Sequence, residues 1–139
     1  MALWAGWYSL VVITNAADAL KALAILPADW PLASQNFRRI REATAVYNAP
    51  PWLDAVLFAG VIIWQSAGAV LFWLALAHSV AGHGVDFPHT NLAFTVALAL
   101  WGAFILAEEI FKQYRAESSH LLLFLAQLLS LLALHLLPG

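Results

Sequence analysis

The chain has no cysteine and very little charge. The lack of cysteine excludes disulfides, thiolate metal sites, thiol redox chemistry and a cysteine nucleophile. Only 10% of the 139 residues are charged, and 63% are hydrophobic. Soluble domains average about 25% charged and about 45–50% apolar residues. In water, so few charged side chains could not cover that much apolar surface, so the composition predicts an integral membrane protein with one domain, 1–139.

Four long apolar runs dominate the sequence, and none shows the period-two alternation of strands. A membrane-spanning helix needs about 20 apolar residues. We therefore predict an all-α polytopic membrane protein, a four-transmembrane-helix bundle. The predicted spans are residues 3–26, 53–78, 92–111 and 120–137, the last closed by Pro138-Gly139. The first span is the most polar, because it contains Thr14, Asn15, Asp18 and Lys21.

The longest connection, between predicted spans 1 and 2, contains a segment with helical periodicity at about 35–47. Phe37, Ile40, Thr44 and Tyr47 recur at i, i+3, i+7 and i+10, so they share one helical face. Basic residues lie on another face. This pattern predicts a short amphipathic helix lying along the membrane surface.

The basic residues predict the orientation of the chain. In a four-span topology all of them fall on one side: Lys21, Arg38, Arg39, Arg41, Lys112 and Arg115. The positive-inside rule then places the joiners 27–52 and 112–119 in the cytoplasm of a cell with an inner membrane. Both termini and the loop 79–91 face the opposite side. We expect Arg38, Arg39 and Arg41 to dock a partner or lipid.

Polar residues near the predicted cytoplasmic side form one candidate site. Asn15, Asp18 and Lys21 lie at i, i+3 and i+6, and Asp18 is deep enough in the span to need a partner, such as Lys21. The predicted cluster consists of Asn15, Asp18, Lys21, Glu108, Glu109, Gln113 and His120. It could form a polar pocket for an ion, a proton path or a lipid headgroup, or it could be charge pairing that fixes helix packing.

Histidines gather on the opposite side, with Asp86 among them: His78, His83, His89 and His135. Their spacings match no recognised metal-ligand pattern, so we predict no metal site. His78 and His135 each end a predicted span, which makes them an alternative haem b ligand pair. Gln65 and Gln127 lie at mid-membrane, where amides usually bond another helix but could also contact a quinone. No cofactor is predicted; haem b and quinone remain alternatives.

Three short segments resemble a bacterial family of predicted small integral membrane proteins of unknown function. Asn15-Ala16-Ala17-Asp18 is similar to a motif that closes that family's first helix. The first joiner, ending before Pro50-Pro51, has a similar length, and Glu109 to Gln113 resembles an acidic-aromatic stretch at the end of its third helix. The aromatic and glycine residues that surround this stretch in the family are missing here. The resemblance implies four helices and no assigned activity.

No phosphate loop, zinc-protease motif, nucleophile elbow or basic nucleic-acid patch occurs in the sequence. Small residues in the second and third runs, among them Gly60, Gly68 and Gly102, permit close helix packing within the bundle or against another protein. We therefore predict a non-catalytic accessory or anchor subunit of a larger membrane complex, respiratory or photosynthetic, with lipid and other membrane subunits as partners. The alternatives are a quinone- or haem-binding anchor of a dehydrogenase and a small transporter or channel component.

Overall fold

The computed structural model describes residues 1–137, without the side chains of Arg115 and Ala116. The closing pair Pro138-Gly139 lies outside the described residues. The described chain is helical and contains no strand, as predicted. Its elements are α1 (Ala2–Ala22), α2 (Asn36–Thr44), a 3-10 turn (Ala45–Tyr47), α3 (Pro51–Ala81), α4 (Phe87–Phe111) and α5 (Tyr114–Leu136).

Three of the helices are long and apolar enough to cross a membrane: α3, α4 and the segment Glu117–Leu136 of α5. α1 has 21 residues, which corresponds to about 30 Å at 1.5 Å per residue. Its second half carries Asn15, Asp18 and Lys21, so it is less apolar than the other three.

α1 ends at Ala22, earlier than the predicted residue 26, because the backbone turns out of the helix. Ala24 adopts a left-handed φ of 56°. The amide of Ile25 then donates to the carbonyl of Leu20 at 2.9 Å. Such a left-handed residue with a closing hydrogen bond satisfies the last carbonyls of a helix.

The other long helices extend further than predicted, and the loops between them are short. α4 begins at Phe87 instead of 92, because the side chain of Asp86 caps its first turn. α5 begins at Tyr114 instead of 120, because Lys112 takes a left-handed φ of 56° and turns the chain at once. α3 runs to Ala81 rather than 78.

The four long helices pack in sequence: α1 on α3, α3 on α4, and α4 on α5. α5 also bonds α1, since the indole nitrogen of Trp4 donates to Ser130 Oγ at 3.1 Å. The buried centre of this bundle is aromatic. Tyr8 stacks on Phe72 with ring centroids 5.6 Å apart, and Phe72 meets Phe94 edge-on at 5.0 Å.

Among the described glycines, Gly68 is the one in closest contact with a side chain of another helix, Tyr8 of α1. A methyl group at this position would lie 3.1 Å from Cε1 of Tyr8. At Gly60 and Gly102 a methyl group would meet nothing within 4 Å. Within the chain, the expectation that small residues permit close packing therefore applies at Gly68, and packing of Gly60 and Gly102 against another protein stays a prediction.

α2 and the following turn pack on the bundle. The ring of Phe37 lies 5.4 Å from that of Phe58 on α3. Thr44 is buried and donates to Asp54 Oδ1 at 2.6 Å. The hydroxyl of Tyr47 donates to the carbonyl of Ile110 near the end of α4 at 2.6 Å. Phe37 and Thr44 of the predicted face thus contact α3, and Tyr47, which is exposed, reaches α4 through its hydroxyl.

Candidate functional site

Asn15 is the centre of a polar network between α1, α3 and the first joiner. Its side chain is fully buried. Nδ2 donates to Gln65 Oε1 at 2.7 Å. Oδ1 accepts from Ser34 Oγ at 2.6 Å and from Asn36 Nδ2 at 2.8 Å. Both ends of the amide are satisfied within the chain, so the network holds the joiner against the bundle.

Asp18 lies one turn further along α1 and caps α2 from outside that helix. Its Oδ2 accepts from the backbone N–H of Phe37 at 2.9 Å and from Ser34 Oγ at 3.3 Å. Gln35, at the N-cap position of α2, makes no capping bond with its side chain. A carboxylate here satisfies a free amide and also faces the positive end of the α2 dipole.

Lys21 does not pair with Asp18 as the sequence suggested. Among the described side chains no ion pair within 4.0 Å joins them, and the ion pairs that form involve other residues. The carboxylate of Asp18 is turned toward α2 instead, where a backbone amide and a hydroxyl hold it.

Glu108 and His120 form a second polar group, which joins the end of α4 to the start of α5. Glu108 Oε1 and His120 Nδ1 lie 2.5 Å apart. The His120 ring stacks on Phe104 at 4.9 Å and on Trp101 at 5.5 Å. Glu108 is buried, and its Oε2 has no hydrogen-bond partner. Two further buried atoms share this property, Trp101 Nε1 and Gln127 Oε1.

Four residues of the predicted seven-residue cluster take part in two bonded groups, Asn15 with Asp18 and Glu108 with His120. Within the described part of the chain no hydrogen bond or ion pair links the Asn15–Asp18 network to the Glu108–His120 pair. Glu109 is exposed, and Gln113 donates to the nearby carbonyl of Phe111 at 3.4 Å. Asp18 and Glu108 are each engaged by their own neighbours.

The two amides that were predicted to lie at mid-membrane bond other helices. Gln65 accepts from Asn15, and Gln127 Nε2 donates to the hydroxyl of Tyr8 at 3.3 Å. The histidines of the haem alternative have different neighbours. His78 faces Asp86, whereas His135 bonds Asn91 at 2.8 Å. The four residues proposed for haem or quinone do not converge on one place.

The arginines of the first joiner are exposed on α2. Arg38 lies 3.9 Å from Glu42, and Arg41 lies 3.9 Å from Asp54. The Arg38–Glu42 pair is exposed on both sides and contributes little stability, whereas Arg41 is exposed and its partner Asp54 is buried. Arg38, Arg39 and Arg41 therefore present charge to the surroundings of the bundle.

The loop between α3 and α4 brings together three of the residues that the sequence placed on one side without predicting a metal site: His78, Asp86 and His89. The rings of His78 and His89 stack in parallel, 4.2 Å apart. Both face Asp86 Oδ2 through Nδ1, at 3.7 and 3.0 Å. The bond from the His89 backbone N–H, followed by the nearby imidazoles, lowers the pKa of Asp86. The sequence signal was Asp86-x-x-His89, an acidic cap with a histidine in the first turn.

Comparison with protein-family models, curated proteins and solved structures gives no match to this chain. The resemblance to small integral membrane proteins therefore rests on its short motifs alone. The fold and the site geometry define a class: an all-helical protein with three candidate membrane-spanning helices. Most of its buried polar groups bond one helix to another or hold the first joiner.

Proposed function

We propose that this chain is a four-span inner-membrane protein that serves as a non-catalytic accessory or anchor subunit of a larger membrane complex, respiratory or photosynthetic. Two features support the absence of catalysis. The polar networks around Asn15 and Asp18 are satisfied by the chain's own groups. Glu108 Oε1 pairs with His120, although Glu108 Oε2 has no partner, and no serine, lysine or second acid bonds this pair among the described side chains.

The observation that carries the proposal is the thin packing of α5. Only 6% of its apolar window is buried inside the chain, against 22% for α3 and 33% for α4. Gln127 is its one buried residue among those whose burial is described. In lipid, helices associate through close packing and interhelical hydrogen bonds rather than through apolar burial. Hydrogen bonds hold α5 to α1 and α4, as at Trp4–Ser130 and Glu108–His120, but they leave most of its apolar surface uncovered. That uncovered surface is suited to pack on a neighbouring subunit.

Site-specific photo-crosslinking tests this directly. A photoreactive amino acid replaces Leu129 on α5, which is 64% exposed, and in a control replaces Ile63 on α3, which is 69% exposed. The chain is then purified in mild detergent through a tag. We expect a discrete heavier band with one stoichiometric partner from position 129 and mainly lipid adducts from 63. A monodisperse chain recovered alone, with lipid adducts at both positions, would refute the proposal.

The four-span topology and the surface position of α2 belong to the same proposal. α1 has the length of a span, and its polar residues Asn15 and Asp18 are buried against protein rather than lipid. With α1 crossing, every basic residue falls on one side, which supports a cytoplasmic first joiner. α2 then lies at the membrane surface with its arginines outward.

The absence of cysteine makes the topology easy to test. Single cysteines replace Ala2, Arg39 and His83, and a membrane-impermeant maleimide is added to sealed vesicles. If α1 spans, Cys at 2 and 83 react from the same side, and Cys at 39 reacts from the other. Labelling of positions 2 and 39 from one side would reduce the count to three spans.

A groove of about 570 Å³ supports quinone binding as a second candidate function. Trp4, Ser130 and His135 line it among mostly apolar residues, although Trp4 Nε1 donates to Ser130 Oγ and His135 Nε2 bonds Asn91. Pockets for cofactors of this size are mostly apolar with a few polar groups. Solvent extraction of the purified chain should yield bound quinone. The extracted amount should be at least severalfold lower for His135→Ala. Extracts without quinone would exclude this function.

A further inference from the structure

The loop between α3 and α4 holds a compact group of metal-ligand side chains. His78 lies in the last turn of α3, Asp86 caps α4, and His89 lies in the first turn of α4. One donor atom from each residue can be chosen so that all three lie within 4.8 Å of one another. Asp86 Oδ2 is 3.0 Å from His89 Nδ1 and 3.7 Å from His78 Nδ1.

These separations fit an ion of the zinc class. Bonds of about 2.0–2.2 Å place neighbouring ligand atoms of such an ion about 3.0–3.5 Å apart. His89 and Asp86 already meet this distance, and His78 Nδ1 is a few tenths of an ångström too far from Asp86 Oδ2. The donor atoms of the two histidines lie within 4.8 Å of each other and must also approach. The His78 ring must also rotate. A bound ion lies in the plane of each imidazole that ligates it, and the two imidazoles are stacked in parallel within 9°. The side chain of His78 is 53% exposed and has room to turn.

The fold holds the carboxylate in place for this role. Asp86 Oδ1 accepts from the backbone N–H of His89 at 3.3 Å, which leaves Oδ2 directed at the two imidazoles. The backbone N–H of Asp86 donates to Ser79 Oγ at 3.0 Å. Ser79 is in turn anchored to the carbonyl of Ala75 at 2.7 Å. Supporting bonds of this kind orient ligands and are typical of metal sites.

We propose that His78, Asp86 and His89 bind a divalent first-row transition-metal ion, with Zn²⁺ as the representative ion. Two imidazoles and one carboxylate are the ligands that zinc, iron and nickel share. Three protein ligands leave at least one coordination position for water or a small ligand. The ion connects the end of α3 to the start of α4. This site is independent of the proposed subunit function, because it uses neither α5 nor the groove.

Zinc binding by the full chain tests the proposal. The chain is purified in mild detergent through a tag without histidine, stripped with a chelator, and titrated with Zn²⁺ alone. We expect one ion per chain and a melting temperature that rises with zinc, because the ion binds the folded state. Replacing Zn²⁺ by Co²⁺ should give a visible spectrum of nitrogen and oxygen coordination.

Variants separate binding from folding. His78→Ala removes one ligand, and Asp86→Asn keeps a good helix cap while it removes the charged oxygen. Each should lower zinc affinity by about tenfold or more. His135→Ala, an exposed histidine of another contact group, should bind as the wild type does. The proposal is overturned if the folded wild type binds no zinc, if Asp86→Asn binds equally well, or if His135→Ala loses as much affinity as His78→Ala.

Discussion

Replacing Gly68 by alanine should weaken the contact between α1 and α3. The new methyl group would lie 3.1 and 3.2 Å from two ring carbons of Tyr8. That ring has little freedom to move, because it is fully buried and stacked on Phe72. Its hydroxyl is also held by Gln127. Either the ring or the helix axis must shift.

The size of the effect follows from two opposing contributions. Alanine is favoured over glycine by about 1 kcal/mol in a helix interior. Overpacking a buried contact costs about 1–3 kcal/mol. Gly60→Ala and Gly102→Ala gain the first contribution without the second, because nothing lies within 4 Å of the added methyl groups. Gly68→Ala should therefore be less stable than these controls by about 1–3 kcal/mol.

Reversible unfolding in mixed detergent micelles, followed by circular dichroism, measures the three variants under one condition. A double variant that combines Gly68→Ala with Tyr8→Leu, which removes the ring, should recover most of the stability lost in Gly68→Ala. The difference between the effect of the double variant and the summed effects of the single variants measures the energy of the contact. Gly68→Ala unfolding at or beyond the midpoint of Gly60→Ala would refute the close approach of α1 and α3 at Tyr8.

Two further predictions concern the polar groups. Asp18→Ala should lower the free energy of unfolding by about 0.5–2 kcal/mol and speed hydrogen exchange at the Phe37 amide, because it removes the cap of α2. Asp18→Asn should keep most of the protection of that amide. Equal exchange rates in the wild type and both variants would contradict the capping role. His120→Leu should destabilise the chain by roughly 1–3 kcal/mol in the same unfolding assay, because it leaves Glu108 buried without its partner. Adding Glu108→Leu to that variant should restore most of the stability, and a further loss would show that the pair is not the cause.

The sequence predicted that Asp18 would face protein and need a partner, and in the structure it does both. It did not predict which partner. Lys21 was the obvious choice from helical spacing, but the bond goes to the backbone of Phe37. That choice depends on the path of the first joiner, which returns across α1 at Ser34. Side-chain spacing within one helix carries no information about such a path.

The histidine group illustrates a different limit. With α3 ending at 78 and α4 starting at 92, the predicted loop was long and irregular, and its histidines had no reason to meet. In the structure α3 continues to Ala81 and α4 begins at Phe87. The connection is then a tight turn, which sets His78 opposite Asp86 and His89. Errors of a few residues in the predicted helix ends matter little for the overall fold. Here they separated His78 from Asp86 and His89 by a long loop, so the sequence did not predict that these side chains meet.

The Asn15 network also has a consequence for how the chain enters the membrane. In the proposed four-span topology, α1 is translated before the groups that its polar side chains bond. Ser34 and the Phe37 amide follow soon after and can hold Asn15 Oδ1 and Asp18, but the acceptor of Asn15 Nδ2 is Gln65, 50 residues further along. Until α3 has been made, that buried amide donor lacks its partner, and α1 should be a weak insertion signal. Stable entry of α1 into the bilayer would then depend on α3, and truncation after α2 would leave Asn15 Nδ2 without its acceptor.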